Sequence, residues 1–323
     1  MNRLSLIRRT AALLLATAVG AAIAQPAAPI RILVGFPPGG APDVIARQFA
    51  EQLRLERGAS VVVENRAGAA GKIAIEALLA APADGQVVAV MPASALILVP
   101  MVVKSARYDV TRDFVALGSL AEYGFGIAAG PASATRDLPG FVAWSKAHPA
   151  SAAFATPGLG TPQHFLGAQL AKALGVPLTH VPYRGGAPAA NDVMGGQVPA
   201  LITTEQLIAP HHEGGRLRAL VVTSPARSPK MPDVPTAREA GLAELETRDW
   251  FGLFAKAGTP AARVAQWRRD VASVLQASAY RKGIEDMGYG FPGEQPDDFG
   301  KRLDADRAVW TQRVKTSGFQ AGD

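Results

Sequence analysis

The stretch GFPPGGAPDVIAR, from Gly35 to Arg47, decides the fold of this chain. A short apolar strand, predicted from Ile30 to Gly35, ends at two prolines, two glycines follow, and a helix begins at Ala41. Pro42 fits the first turn of that helix because the N–H group that it lacks would be unpaired there anyway. A first helical turn presents unpaired N–H groups and a partial positive charge, so the loop is suited to an anion. A plain tight turn would explain a single loop of this kind equally well.

The same order of strand, glycine-rich loop and helix occurs three more times, at 64–73, 154–174 and 179–194. Four such units predict an α/β architecture in which ligand loops gather at the carboxyl ends of strands. Several backbone donors that converge at one edge are suited to a small carboxylate.

The first 24 residues have the features of a secretory signal peptide. Three arginines precede an apolar stretch from Ala11 to Ile23, and Ala22, Ile23 and Ala24 form an A-x-A cleavage site. The apolar stretch is short for a bilayer span, and no later segment is a transmembrane candidate. We therefore expect cleavage after Ala24 and an exported, periplasmic mature protein.

Composition limits the classes of function. The chain has no cysteine, so an exported fold must be stabilised by burial of a core, and 48% hydrophobic residues can supply that core. Loss of Arg3, Arg8 and Arg9 with the leader lowers the net charge from +6 to +3. A mildly basic chain without clustered lysines and arginines is not expected to bind nucleic acid.

The order of predicted elements indicates two lobes with two chain crossings. We expect residues 25–122 and 250–323 to form lobe 1 and residues 123–249 to form an inserted lobe 2, with crossings near 123 and 250. Two crossings are what a hinged clamshell requires.

No motif indicates an enzyme. Ser94 lacks the glycines of a nucleophile elbow. The segment before Lys72 resembles a phosphate loop, but Arg66 and Ile73 replace a glycine and a hydroxyl that such a loop needs. The dinucleotide fingerprint also fails, because Gln163 stands where its third glycine should be. We expect no cofactor.

Histidines and one tyrosine leave alternatives open. His211, His212 and Glu213 lack the spacing of a metal site, so we expect an exposed turn and no metal there. His164 either packs at a helix start or lines the cleft, and Tyr183 either belongs to the core or lines the cleft.

Six segments occur in one order along the chain that together resemble the Bug family, the TctC-type receptors of tripartite tricarboxylate transporters. These segments are FPPGGAPDVIARQFAEQL, VVVENRAGAAGKIAIEALLAAPADG, YDVTRDF, GLGTPQHFLGAQL, HVPYRGGAPAANDVMGGQV and RLRALVVTSPARSPKMPDVPTAREAG. The resemblance covers essentially the whole mature chain. It implies a type II periplasmic-binding-protein fold, a mostly parallel mixed sheet flanked by helices in each lobe, and a small carboxylate held between the lobes, partly through ordered water.

Loop positions and the resemblance together give the expected ligand-binding residues. They are Pro38, Gly39, Gly40, Ala41, Asp43, Asn65, Ala69, Lys72, Ser94, Thr156, Gly158, Thr161, His164, Tyr183, Gly185, Ala187, Thr203 and Thr204. For Asp43 the helix dipole alone is a sufficient explanation, because a carboxylate would repel an anionic ligand.

Departures from the family pattern bear on specificity. Ala41 and Pro42 replace residues that often have hydroxyls, and Lys72 replaces an asparagine and adds a cation at or near the cleft. Thr203 and Thr204 stand where an acid could pair with a ligand ammonium group. These changes count against an amino acid or citrate as the ligand.

The leading hypothesis is a monomeric binding protein that captures a small organic anion and delivers it to membrane transporter subunits. Alternatively, the same closed lobes report the ligand to a sensor kinase. A hydrolase or isomerase on this fold would need a nucleophile or base with a positioned partner, and the sequence provides none.

Overall fold

The computed structural model describes residues 28–291, 293 and 298–321. The predicted signal peptide, residues 1–24, and its cleavage site lie outside the described residues. Within these ranges no helix is both long and apolar enough to cross a membrane.

Nine strands in the described residues form the sheet framework. The strands are β1 Ile30–Val34, β2 Val61–Asn65, β3 Val87–Pro92, β4 Phe114–Ala129, β5 Ala153–Thr156, β6 Thr179–Pro182, β7 Ala200–Thr204, β8 Arg218–Val222 and β9 Arg248–Lys256.

Twelve α-helices lie in the described part of the chain. They are α1 Ala41–Arg57, α2 Lys72–Ala80, α3 Ala93–Ile97, α4 Val99–Val102, α5 Val110–Asp113, α6 Leu138–Ala147, α7 Pro162–Leu174, α8 Gly186–Met194, α9 Glu205–Glu213, α10 Ala261–Gln276, α11 Ser278–Asp286 and α12 Phe299–Ser317. Single 3-10 turns add Ala69–Gly71 and Ala243–Leu245.

The prediction of an exposed turn at His211, His212 and Glu213 is wrong, because these residues form the last turn of α9. The helix continues past its internal Pro210 and ends only at Gly214. His212 is held in place: its Nδ1 accepts from the N–H of Ala219, and its Nε2 lies 3.2 Å from Asp233. Among the described residues no group of three or more metal-ligating side chains is found.

The strands form a curled sheet in the order β2-β1-β3-β9-β4-β7-β5-β6, with β8 on β4. Strands β1, β2 and β3 are parallel, as are β5, β6 and β7. The carboxyl ends of each parallel group therefore share one edge, which is the edge that α/β proteins use for ligands.

The long strands β4 and β9 connect the two halves. Strand β4 pairs with β9 from Phe114 to Gly124 and with β7 from Phe125 onwards. The fold is a two-lobed α/β fold of the expected kind. The lobe boundaries, with crossings near 123 and 250, stay a prediction that this change of partner supports.

Gly124 lies where β4 changes partner, and only glycine fits there. A Cβ atom at this position would lie 2.0 Å from Ser224 Oγ and 2.2 Å from Glu205 Oε1. The two side chains are buried and bonded to each other. Helix α9 can pack this closely against the crossing strand because Gly124 has no side chain.

Candidate functional site

A cavity of about 670 Å³, counting its opening to solvent, lies between the strand-end loops of both lobes. Its walls come from every predicted loop and from β4 and β9: Phe36, Pro37, Gly40, Ala41, Pro42, Ala70, Pro92, Ser94, Ala95, Val99, Tyr123, Pro157, Thr161, Pro162, Gln163, Gly186, Ala187, Thr203, Thr204, Leu207 and Phe251.

None of these lining side chains is charged. The polar side chains of the wall are five hydroxyls and one amide, all on buried residues: Ser94, Tyr123, Thr161, Gln163, Thr203 and Thr204. The rest of the wall is apolar, with Phe36, Leu207 and Phe251 as its largest contributors. A ligand in this cavity would be held by neutral hydrogen-bonding groups around an apolar body.

Four helices of nine or more residues begin at the cavity. Ala41 starts α1, Pro162 starts α7, Gly186 starts α8, and Thr204 is the residue before α9. Only α7 has a side-chain cap, in which Thr161 Oγ1 accepts from the N–H of His164. The N-terminal N–H groups of the other three helices give this edge a positive potential without a cationic side chain.

Asp43 and Asn65 fix the loop after β1 by hydrogen bonds to its backbone. Asp43 Oδ2 accepts from the N–H of Gly39 at 2.9 Å and from Arg47 Nε at 3.0 Å. Asn65 Nδ2 donates to Asp43 Oδ1 at 2.8 Å and to the carbonyl of Phe36 at 3.1 Å. Burial raises the pKa of Asp43, but the hydrogen bonds from Arg47, Gly39 and Asn65 outweigh it, so the pKa lies below its ordinary value.

The glycines of the second lobe bring its loops against those of the first. A Cβ atom on Gly158 would lie 3.2 Å from the Cβ of Ala70, and one on Gly185 would lie 2.8 Å from Pro37 Cδ. Ala70 lines the cavity, whereas its neighbour Ala69, predicted for this role, does not. Both alanines have left-handed backbone angles, at φ values of 55° and 48°.

His164 packs with a second histidine instead of lining the cavity. Its ring stacks on His180 with 3.6 Å between ring centroids and meets Phe319 edge to face. Thr156 Oγ1 lies 2.7 Å from His180 Nε2, so this predicted residue also belongs to the packed cluster. Burial lowers the pKa of His164 to about 4 and that of His180 to about 3.

Tyr183 and Lys72 have partners outside the cavity. The Tyr183 hydroxyl donates to Asp192 Oδ2 at 2.8 Å. Lys72 Nζ lies 3.7 Å from Glu76 Oε1, one turn further along α2. Neither side chain lines the cavity.

Seven of the predicted residues therefore line the cavity: Gly40, Ala41, Ser94, Thr161, Ala187, Thr203 and Thr204. The other predicted residues do not line it: Pro38, Gly39, Asp43, Asn65, Ala69, Lys72, Thr156, Gly158, His164, Tyr183 and Gly185.

Sequence reasoning missed one group of residues altogether. Tyr123 and Phe251 line the cavity from the crossing strands, and the buried Asp249 lies directly behind Ser94 and Tyr123. No glycine loop marks these residues. The only available signal was that Tyr123 and Asp249 both fall at the predicted crossings.

A two-lobed α/β fold with a cavity between its lobes is typical of periplasmic solute receptors, and the structure is similar to the periplasmic binding protein BugD, with a TM-score of 0.86, 28% identity and coverage of 93% of this chain and 100% of BugD. The chain belongs to the TctC family, the tripartite tricarboxylate transporter family receptors, whose profile matches residues 45–309. This result confirms the resemblance found in the sequence. Receptors of this family are periplasmic.

Relatives of known sequence or structure support the assignment to this family. The chain is 35% identical to BugT of Bordetella pertussis over 255 residues, which are 79% of this chain and 78% of BugT. It is similar in structure to MatC of Rhodopseudomonas palustris with bound malate, with a TM-score of 0.84, 28% identity and coverage of 90% of this chain and 100% of MatC. It is also similar to Rpa4515 of R. palustris with adipate, with a TM-score of 0.85, 28% identity and coverage of 92% and 99%.

Proposed function

We propose that this receptor binds a small carboxylate without an amino group in the cavity between its lobes and delivers it to the membrane subunits of a tripartite transporter. The mature protein would begin at Gln25, after cleavage behind Ala24, and act as a monomer. The observation that carries this proposal is a cavity ringed by helix N-termini and hydroxyls with no charged side chain in its wall.

Neutral donors at helix N-termini are suited to a carboxylate. Hydrogen bonds to a charged group are worth about 1.5–3 kcal/mol each, roughly twice the value of neutral ones. The N–H groups of Ala41, Gly186 and Ala187 belong to first helical turns without a side-chain cap, and these three residues line the cavity.

The apolar part of the wall favours a hydrocarbon body between the polar ends of the ligand. Phe36, Leu207 and Phe251 offer it apolar contact. The dicarboxylates named with MatC and Rpa4515, malate and adipate, have such a body and no amino group.

An ammonium group is disfavoured. Thr203 and Thr204 stand where an acid would pair with it, and no lining side chain is acidic. Burying an unpaired ammonium group costs several kcal/mol, whereas a neutral hydrogen bond returns only about 1 kcal/mol.

Delivery to a transporter is favoured over the signalling alternative by the family, which is described as a transporter receptor. Thermal shift with purified receptor from Gln25 onwards tests the ligand class, using short dicarboxylates, hydroxy acids and aromatic acids against aspartate and glutamate at equal concentration. Stabilisation by at least one simple carboxylate above both amino acids is expected. The opposite order would contradict the proposal.

A variant locates the binding site. Thr203→Val keeps the shape of the side chain and removes one hydroxyl of the wall, so the best carboxylate should bind roughly fivefold more weakly, the effect of one neutral hydrogen bond. Thr316→Val is the matched control, since the Thr316 hydroxyl donates to the carbonyl of Gln312 on an exposed helix face. Titration calorimetry that finds equal affinity in all three proteins would place the ligand elsewhere.

A further inference from the structure

A buried carboxylate lies behind one wall of the cavity. Asp249 Oδ2 accepts from Ser94 Oγ at 2.5 Å and from the Tyr123 hydroxyl at 2.9 Å. Its Oδ1 accepts from the N–H of Trp250 at 2.8 Å and from the N–H of Ser94 at 3.4 Å. Asp249 is only 5% exposed and does not line the cavity itself, whereas Ser94 and Tyr123 do.

This arrangement fixes the direction of the hydrogen bonds. A hydroxyl has one hydrogen to donate, and an ionised carboxylate can only accept. Because Asp249 takes the hydrogen of Ser94 and that of Tyr123, both oxygens can present only lone pairs to the cavity. The wall made by Ser94 and Tyr123 therefore accepts hydrogen bonds, while the helix N-termini elsewhere in the cavity donate them.

We propose that Asp249 makes the wall of Ser94 and Tyr123 a hydrogen-bond acceptor and so selects carboxylates that also have a hydroxyl group. The inference rests on the proposed function and narrows its ligand class. The ligand carboxylate is bound at the helix N-termini, since two lone-pair-bearing oxygens repel an anion. The ligand hydroxyl donates to the oxygen of Ser94 or Tyr123, and this hydrogen bond offsets the cost of removing the hydroxyl from water.

The ionisable groups around Asp249 come from helix α12, from the crossing strands β4 and β9, and from the segment that contains Tyr289. On α12, Asp306 accepts from Trp250 Nε1 at 2.8 Å and adds a second negative charge. On the crossing strands, Arg248 lies 3.9 Å from Glu122. Beyond Tyr123 lies the ring of Tyr289, at 6.4 Å between centroids.

These surroundings make the acceptor wall dependent on pH. Burial raises the pKa of Asp249, whereas the hydrogen bonds from Ser94, Trp250 and Tyr123 lower it. Burial is the larger effect, so the pKa lies at about 6. When protonated, Asp249 donates to one of the two hydroxyl oxygens, whose own hydrogen then turns towards the cavity. Selection for a hydroxyl should therefore be present above this pKa and fade below it.

Matched acid pairs that differ by one hydroxyl test the proposal: malate with succinate, and 2-hydroxyglutarate with glutarate. At a pH of about 7.5 the receptor should bind the hydroxy acid of a pair roughly five- to tenfold more tightly, as expected for one satisfied hydrogen bond. Asp249→Asn keeps the size of the side chain, but its NH₂ group donates to Ser94 and Tyr123 and turns a hydroxyl hydrogen into the cavity. The variant should lose or reverse the preference.

Two further measurements test the role of Asp249 independently of the Asp249→Asn comparison at neutral pH. Ser94→Ala removes one of the two acceptor oxygens and should reduce the ratio of the two affinities within a pair, and it serves if Asp249→Asn does not fold. Lowering the pH to about 5 should reduce the preference for the hydroxy acid in the natural protein but leave the affinity ratio of Asp249→Asn unchanged. The same measurement on Asp249→Asn also corrects for protonation of the acids themselves.

The outcomes separate this inference from the proposed function. Equal binding of both members of a pair by the natural protein, or an unchanged preference in Asp249→Asn and Ser94→Ala, would overturn the acceptor wall alone. If the variants lose affinity equally for both members of a pair, the role of Asp249 is structural, and the proposed acceptor wall is overturned as well. Failure of every simple carboxylate to bind would overturn the proposed function first.

Discussion

Tyr123 and Asp249 are directly opposite each other on the antiparallel strands β4 and β9, and the Tyr123 hydroxyl donates to Asp249 Oδ2 at 2.9 Å. One residue further along, at Gly124, β4 reaches the end of its pairing with β9. The wall of the cavity and the connection between the lobes are thus built from the same two strands. If the chain crosses between the lobes near residue 123, as predicted, a ligand in contact with Tyr123 also contacts that crossing.

Gly40→Val should abolish carboxylate binding and leave the fold intact. Gly40 lines the cavity at the start of α1, and its φ of −74° is open to any residue. An added Cβ atom would lie 3.2 Å from the carbonyl oxygen of Pro37, so the loop must shift by a few tenths of an ångström. The added methyl groups would fill the space next to the N–H donors. Thermal shift should show no ligand-induced stabilisation in the variant, and a normal shift would contradict this geometry. Gly300→Val is the matched control, since a Cβ atom there would meet nothing within 4 Å.

Asp43→Asn should destabilise the protein by about 1–3 kcal/mol at neutral pH, because a buried charged acceptor of three donors is lost. The pKa of Asp43 is lowered in the folded state. Its stabilisation is therefore present above the ordinary carboxyl pKa of about 3.9 and is lost as the pH falls through the lower folded value. Urea unfolding should show the difference shrinking below a pH of about 4; a difference that grows there would contradict the assignment.

Lys72→Ala tests whether a cation near the cavity matters. A direct charge-assisted contact between Lys72 and the ligand would be worth a roughly ten- to hundredfold change in affinity. Because Lys72 Nζ lies near Glu76 and not in the cavity wall, we now expect a change of no more than about threefold. Calorimetry decides between the two values, and a tenfold loss would restore Lys72 as a ligand-binding residue.

Gly124→Ala should destabilise the fold by about 1–3 kcal/mol, the usual cost of overpacking. The new methyl group would displace Ser224 and Glu205, whose side chains are hydrogen-bonded to each other. Gly290→Ala is the control on the neighbouring bridge, where a Cβ atom would be 3.8 Å from its nearest neighbour. Equal melting temperatures for both variants would show that Ser224 and Glu205 can move aside without cost, and would contradict this prediction.

The sequence predicted what is local in the chain. Strand ends, glycine loops and the helices after them can be recognised from consecutive residues, and so Gly40, Thr161, Ala187 and Thr203 were placed at the cavity before the structure. Which of two neighbouring residues faces inward was not predictable: Ala70 lines the cavity and Ala69 does not, because two left-handed residues in a row redirect the loop.

Contacts between distant residues also escaped prediction. Ser94 and Asp249 are 155 residues apart, and their hydrogen bond depends on β9 lying beside β3 and β4 in one register. His164 and His180 stack because α7 packs on β5 and β6, which no spacing in the sequence indicates.

Five of the residues around the cavity are prolines, namely Pro37, Pro42, Pro92, Pro157 and Pro162. A proline ring has a fixed φ and almost no rotamer freedom to lose. Enclosing a ligand against such walls costs little conformational entropy, so more of the contact energy remains as affinity. The same stiffness prevents the walls from adapting to a molecule of another shape. We infer that the walls of each lobe are rigid before the ligand arrives, and that this rigidity narrows the range of ligands that the receptor accepts.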